Sequence, residues 1–367
     1  MIYNWQQEGW PEFKYQLNDD IENSLIKIRE SASKLEGYFS AMTEERKQQS
    51  LSVIMTEEAV STSAIEGEYM SRIDVMSSIM HQLDRTVPDY SKDVRAKGVS
   101  QMMMSVRENY DVQLSKYMLF NWHEMLMLGN NKVHAGVWRY QNEPMQIISG
   151  SIGKEKIHFE APASAQVADE MERFIHWFNE SKPVRLKDQL NAPVRSAVAH
   201  LYFESIHPFE DGNGRIGRAI SEKAIAEGLG YTPFISLSKI IESNKAKYYD
   251  ELMRAQQTLE VSEWVMYFVQ LIVEAFDYSF EIINWTVKKW QFFEKYDKEL
   301  NSRQLKVISK MCETPVFEGG MSAKKYMSIA RTSKATATRD LQQLTEMGVL
   351  LPKGGGRSVR YELKLGE

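Results

Sequence analysis

His207-Pro208-Phe209-Glu210-Asp211-Gly212-Asn213-Gly214-Arg215-Ile216-Gly217-Arg218 is the stretch on which the fold and the chemistry of this chain turn. Just upstream, Val194, Ala197, Val198, Leu201, Tyr202 and Ser205 recur at helical spacing and predict an amphipathic helix over residues 192–207. Pro208 disfavours helical geometry in the residue before it, so that helix is expected to stop near His207. A new helical run is expected from Ala219 to Glu227. Between the two, a Gly-Asn-Gly bend would turn successive backbone N–H groups toward an anion, and the next helix N-terminus would add positive potential. Arg215 and Arg218 carry planar guanidinium groups suited to phosphate oxygens. Asp211 suits Mg²⁺, which commonly takes one or two carboxylates plus phosphate oxygens. The imidazole of His207 can take up a proton. A base, a metal carboxylate and a phosphate cradle together point to nucleotidyl or phosphoryl transfer. Taken singly, each residue also fits a helix stop followed by a surface turn.

The rest of the chain is read as mainly α. Ile21, Leu25, Ile28, Ala32 and Leu35 step by three and four and predict a first helix over residues 18–39. Further helices are expected over 43–65, 74–83, 92–109, 115–128 and 164–179. Between Val137 and Phe159 the pattern breaks. Trp138, Tyr140, Ile147, Ile148, Ile157 and Phe159 flank a Gly/Ser turn at 149–154, which reads as a β-hairpin between helices. The most apolar stretch, Trp264–Phe276, is 13 residues long and contains Gln270 and Glu274, which suits a buried helix and not a membrane span.

The 367 residues carry a net charge of −5. Residues 301–367 hold 12 Lys+Arg against 6 Asp+Glu, a balance of +6, so the remainder carries −11. A basic tail on an acidic body suggests a separate module. Cys312 is the only cysteine, which excludes an intramolecular disulfide and a multi-cysteine zinc site. The start lacks the basic-then-apolar pattern of a signal peptide, and a cytoplasmic location without membrane association is expected.

The run His207–Arg218 resembles the Fic signature, His-Pro-Phe-x-(Asp/Glu)-Gly-Asn-Gly-Arg-x-x-Arg, at all nine specified positions. The resemblance implies a protein adenylyltransferase, moving AMP from ATP to Tyr, Ser or Thr hydroxyls of a target protein or of itself. It gives His207 the part of the base and Asp211 that of the Mg²⁺ ligand. Gly212, Asn213 and Gly214 would line an anion hole, Arg215 and Arg218 would neutralise pyrophosphate, and Ile216 and Gly217 fall within the same nucleotide-binding segment. Phe209 is expected to anchor the loop in the core. Thr62-Ser63-Ala64-Ile65-Glu66-Gly67 resembles the family's inhibitory motif, (Ser/Thr)-x-x-x-Glu-(Gly/Asn), which implies that Glu66 pairs with Arg218 and takes the γ-phosphate's place. The predicted hairpin sits where the family has its flap, with Ile147, Ile148, Ser149 and Gly150 as a nucleotide-facing edge. Tyr248-Tyr249 resembles the tyrosine pair bordering the adenine pocket, and Gln256 falls where an Asn is often found. For the tyrosines a core role and base stacking both stay open, while His123, His176 and His200 read as core histidines.

In the tail, Gln304–Met311 and Ser322–Ala330 are expected helices, Ser333 can cap a third and Gly348 can end it. Gly354-Gly355-Gly356 between β-prone runs then marks a hairpin. Three helices and a hairpin resemble a winged helix-turn-helix, which implies DNA as a partner. Lys334, Thr336, Thr338 and Arg339 would stand on its recognition helix, with Arg357 and Arg360 on the wing. The expected fold class is therefore a Fic helical core with a β-hairpin flap, an N-terminal helical segment and a C-terminal winged helix-turn-helix. The expected domains are 1–95, 96–285 and 298–367, in a homo-oligomer. Another nucleotide donor, removal of AMP, and a DNA-binding regulator with a nucleotide-sensing core stay open as alternatives.

Overall fold

Three-and-four spacing of apolar residues becomes helix along most of the chain in the computed structural model. It describes residues 2–149, 156–183, 190–313, 317, 319–355 and 358–365, with only the backbone of Ile148, Ser149 and Lys156. Helix α1, Asp19–Ser40, starts where the Asn18 side chain accepts from Ile21 N–H, and it buries Ile21, Leu25, Ile28, Ala32, Leu35 and Phe39. Helices α2 (Glu44–Ile65), α3 (Arg72–Leu83), α4 (Val94–Glu108) and α5 (Lys116–Leu126) are each capped by a Thr, Ser or Asp side chain. Strands β1 (Gln146–Ser149) and β2 (Lys156–Glu160) pair antiparallel, with the register irregular between Ile147 and Ile148. Then come α6 (Val167–Glu180), α7 (Ala192–Ile206), α8 (Asn213–Leu229), α9 (Leu237–Ser243), α10 (Lys245–Ala255) and α11 (Ser262–Tyr296).

The chain divides into two units, Met1–Ser279 and Phe280–Glu367. The first unit takes in all of the expected segment 1–95 and residues 96–279 of the expected segment 96–285. Met55, Ala59, Val75 and Ile79 from α2 and α3 pack in the same core as Val99, Trp122, Phe174, Phe203 and Phe209. Each such large side chain contributes about 1.5–3 kcal/mol when fully buried.

Two expectations are corrected at the centre. Helix α7 is not amphipathic: all fifteen of its residues are buried, because neighbouring elements surround it on every side. Helix α8 begins at Asn213, six residues before the expected Ala219, with Gly212 as its N-cap. Gly214 and Gly217 therefore lie inside a helix. Gly217 is there because a Cβ at that position would stand 2.5 Å from the Glu204 carboxylate. Trp264, Val265, Phe268, Val269, Ile272 and Phe276 of α11 are buried, as the apolar run predicted. No helix among the described residues is long and apolar enough to cross a membrane.

The second unit holds α12 (Ser302–Met311), α13 (Ala323–Ala330), α14 (Lys334–Glu346) and an antiparallel hairpin, β3 (Leu350–Lys353) with β4 (Arg360–Leu363). Val307, Ile308, Tyr326, Leu341, Leu344 and Val349 form its core. Asp340 is buried there between Tyr326 Oη and the Arg303 guanidinium. Of the expected wing residues, Arg357 lies outside the described residues, as does Gly150 of the flap.

Candidate active site

Helix α7 ends at His207, whose backbone is left-handed (φ 50°, ψ 62°). Pro208 denies its predecessor helical geometry, and for a residue with a Cβ the left-handed alternative costs about 1–2 kcal/mol. Arg139 holds the backbone in this position. Its Nε donates to His207 O at 2.8 Å, its backbone N–H donates to Pro208 O at 2.9 Å, and its Nη1 donates to Ser164 Oγ at 2.9 Å. Burial pulls the Arg139 guanidinium down to about 10, which still leaves it charged at neutral pH.

The bend after His207 is closed from within. Asn213 Nδ2 donates to Phe209 O and its Oδ1 accepts from Phe209 N–H, both at 2.9 Å. The side chain expected at the anion hole is thus engaged in shaping the loop. Phe209 is fully buried against Trp138 and stacks on the His123 ring with centroids 4.0 Å apart. His123 Nδ1 accepts from Gly136 N–H at 3.0 Å, so its proton sits on Nε2 and is donated to Asp211 O at 3.2 Å. Burial pushes the His123 imidazole down to about 4 and keeps it neutral. His123 therefore clamps the loop, a role that its reading as an ordinary core histidine did not include.

Gly212 takes φ 83°, and a Cβ there would meet Leu126 and Met127 at 2.9 Å. Asp211 Oδ1 accepts from Gly212 N–H at 2.6 Å and from Arg215 Nη2 at 3.3 Å, while the carboxylate stays 43% exposed. Arg215 Nη1 pairs with Glu68 at 2.8 Å. Among the described residues no cluster of three or more His, Cys, Asp or Glu could hold a metal unaided. One half-exposed carboxylate beside a helix N-terminus fits a Mg²⁺ ion shared with substrate phosphates.

Arg218 is almost fully buried. Its Nε donates to Thr62 Oγ1 at 2.8 Å, and its Nη2 donates to Thr62 O at 2.9 Å and to Glu66 Oε1 at 2.7 Å. Its Nη1 is buried without a hydrogen-bond partner among the described residues. Burial alone would lower Arg218, but the charge of Glu66 outweighs it and raises the guanidinium. Tyr249 Oη stands 3.4 Å from Glu66 Oε2. Glu66 is the C-cap of α2, and two side chains of that helix, Glu58 and Ser61, help to anchor it. Glu58, buried, accepts from Ser236 Oγ at 3.0 Å, from Ser238 N–H at 2.8 Å and from Ser238 Oγ, and Ser61 Oγ donates to Glu242 at 2.7 Å.

A cavity of about 440 Å³ opens beside these groups. Glu66, Ile147, Glu204, His207, Gly214, Tyr248, Tyr249 and Gln256 line it, with Leu252 and Met253 as apolar wall. It brings together the expected base, the first turn of α8 and the tyrosine pair. Asp211, Gly212, Asn213, Arg215 and Arg218 are not among its lining, and Ile216 is fully buried in the core. Tyr248 is buried with its hydroxyl 2.6 Å from His200 Nε2, and burial drives that phenol well above its ordinary range. Gln256 Nε2 donates to Glu204 O at 3.2 Å. Glu204, Arg139 and His123 were not singled out as site residues from sequence. Only Glu204 had a readable signal, three residues before His207 on the same helix.

Residues 113–224 match the profile described as Fic/DOC family, and residues 3–84 match a domain of unknown function, DUF4172. A "probable protein adenylyltransferase" of Aquifex aeolicus is 26% identical over 162 residues, 44% of this chain and 43% of that protein. A protein adenylyltransferase Fic of Drosophila virilis is 35% identical over 97 residues, 26% of this chain and 18% of that protein. The chain thus spans less than half the length of these curated relatives. Among solved structures, a Fic family protein from Desulfovibrio desulfuricans has a TM-score of 0.55 at 18% identity, covering 95% of this chain and 97% of its own. A Fic domain containing signaling protein from Bacteroides thetaiotaomicron has a TM-score of 0.52 at 14% identity, covering 72% of this chain and 97% of its own. Those two likenesses show the fold, and the match to the Fic/DOC family over residues 113–224 takes in the signature bend described above.

Proposed function

We propose that the chain transfers the adenylyl group of ATP to hydroxyl groups of protein side chains. The observation that carries this reading is the shared cavity: the His207 imidazole, the start of α8 at Gly214 and the Tyr248-Tyr249 wall all face one space of about 440 Å³. That space suits a nucleotide, with an apolar wall for the base and a helix N-terminus for the phosphates. His207 takes the proton of the attacking hydroxyl. The new O–Pα bond forms as the bond from Pα to the bridging oxygen of the β-phosphate breaks, and pyrophosphate departs. Asp211 would hold Mg²⁺ with the phosphate oxygens, an ion whose charge neutralises them. The relatives named as adenylyltransferases support this chemistry over transfer from another donor.

Glu66 restrains the reaction in this reading. Its carboxylate occupies Arg218 Nη2 at 2.7 Å, where a phosphate oxygen would be expected to bind. The test is incorporation of label from ATP with Mg²⁺ into the chain itself and into bacterial lysate proteins. Glu66→Gly should label, Glu66→Gly with His207→Ala should not, and unlabelled UTP or GTP should compete poorly. Equal labelling with and without His207 would end the proposal.

A second activity, duplex DNA binding by the second unit, is favoured by the outer face of α14. Lys334, Thr338, Arg339 and Gln342 are exposed there, and neither Lys334 nor Arg339 is ion-paired among the described residues. Asp340, within the same helix, is buried and neutralised by Arg303. The affinity of a fluorescent random duplex should fall with salt, and Lys334→Ala with Arg339→Ala should reduce the log–log slope by about 2. A slope unchanged by the pair of substitutions would remove this reading.

A further inference from the structure

His200 and Glu204 are four apart, so α7 aligns them on one face, where both meet Gly217 of α8, and His207 follows three residues after Glu204 as the cap of the helix. Glu204 is almost fully buried, and an unpaired carboxylate in such a place is costly. Burial works to raise it, yet His207, His200 and Arg218 together hold it below the usual carboxylate range. Its Oε2 lies 3.5 Å from His207 Nδ1, the outer limit of a hydrogen bond. Its Oε1 and His207 Nδ1 are both buried with no hydrogen-bond partner among the described residues. Any side chain at Gly217 would collide with Oε1 at 2.5 Å, so the α8 glycine leaves room for the carboxylate. Arg218, the other cation near Glu204, is already engaged by Glu66 at 2.7 Å.

We infer that Glu204 is the positioning residue for the His207 imidazole: it keeps the ring proton on Nδ1 and turns the lone pair of Nε2 into the cavity. This rests on the reading of His207 as the base. A slight ring rotation closes the 3.5 Å gap, as catalytic hydrogen bonds do once substrate is seated. When Nε2 takes the hydroxyl proton, the imidazolium is stabilised by the adjacent carboxylate. Glu204 itself stays ionised throughout, and the electron pair of the hydroxyl oxygen passes to Pα. A base held by a third group follows the general logic of an oriented imidazole.

The decisive measurement is the ring ¹⁵N spectrum of histidine-labelled protein, with His207 assigned by its loss in His207→Gln. In the unmodified chain the neutral ring of His207 should carry its proton on Nδ1, and in Glu204→Gln the Nε2–H form should grow to a major population. An Nε2–H ring in the unmodified chain overturns the inference without any variant having to fold. Kinetics provide the second readout, in the Glu66→Gly background. Glu204→Gln should lower kcat for self-labelling about 10²–10⁴-fold with KM for ATP changed less than about threefold, the range seen when a base is misoriented. An unchanged kcat, or a loss confined to KM, overturns it. If the tautomer shifts as expected but no variant transfers AMP, the positioning role stands and the proposed reaction fails.

Discussion

Removing the carboxylate of Glu66 should weaken the fold and strengthen the reaction at once. Its 2.7 Å contact joins a side chain 26% exposed to a guanidinium 1% exposed. A hydrogen bond to a charged group contributes about 1.5–3 kcal/mol, and the partial exposure of Glu66 reduces this to about 1–2 kcal/mol. In Glu66→Gly, Arg218 keeps its bonds to Thr62 Oγ1 and Thr62 O, so it stays in place with Nη1 and part of Nη2 free for an anion. If the same 1–2 kcal/mol opposes correct seating of the triphosphate, the labelling rate should rise about 5–30-fold. Urea unfolding of the same variant should show a loss of about 1–2 kcal/mol. Glu66→Gln, which keeps an acceptor and loses the charge, should fall between the two in both assays. The reasoning is refuted if labelling by Glu66→Gly stays within about twofold of the parent, or if stability and labelling fall together.

Three further expectations concern the frame around the site. Glu58→Ala strands the Ser236 hydroxyl and both Ser238 donors in the interior, and should cost about 3 kcal/mol in urea unfolding. Asn213→Ala removes both clasps on Phe209 and should cut labelling at least about 100-fold, because the loop carrying Asp211 is no longer held in register. Glu222, 3.7 Å from Arg107, is pushed up to about 7 by burial, with Glu58 adding to the rise. The folded chain binds that proton more tightly than the unfolded chain. Stability from this group is therefore full below its ordinary value of 4.5 and is lost as pH rises through about 7. The loss is at most about 3 kcal/mol, and unfolding midpoints of Glu222→Gln should be flatter over that window.

Much of this protein was legible in the order of its residues, for physical reasons that act over a few positions. Three-and-four spacing places α1 and the apolar half of α11, Pro208 stops α7, and the His207–Arg218 run holds the groups of the proposed chemistry close together in sequence. What lay beyond reach depends on contacts between distant segments. The residues of α7 look amphipathic in the chain, yet elements from both sides of it in sequence bury the helix all round. Helix α2 places Ser61, Thr62 and Ser63 in the interior, and only α9 explains the buried Glu58 by supplying Ser236 and Ser238. Arg139 and His123 lie 68 and 88 residues from the backbone groups they hold. No local pattern encodes such pairs, because hydrogen bonds between remote segments are chosen by packing. The sequence by itself determined which groups the signature bend carries, and tertiary structure alone decided that His207, Glu204, Tyr249 and Glu66 face one cavity.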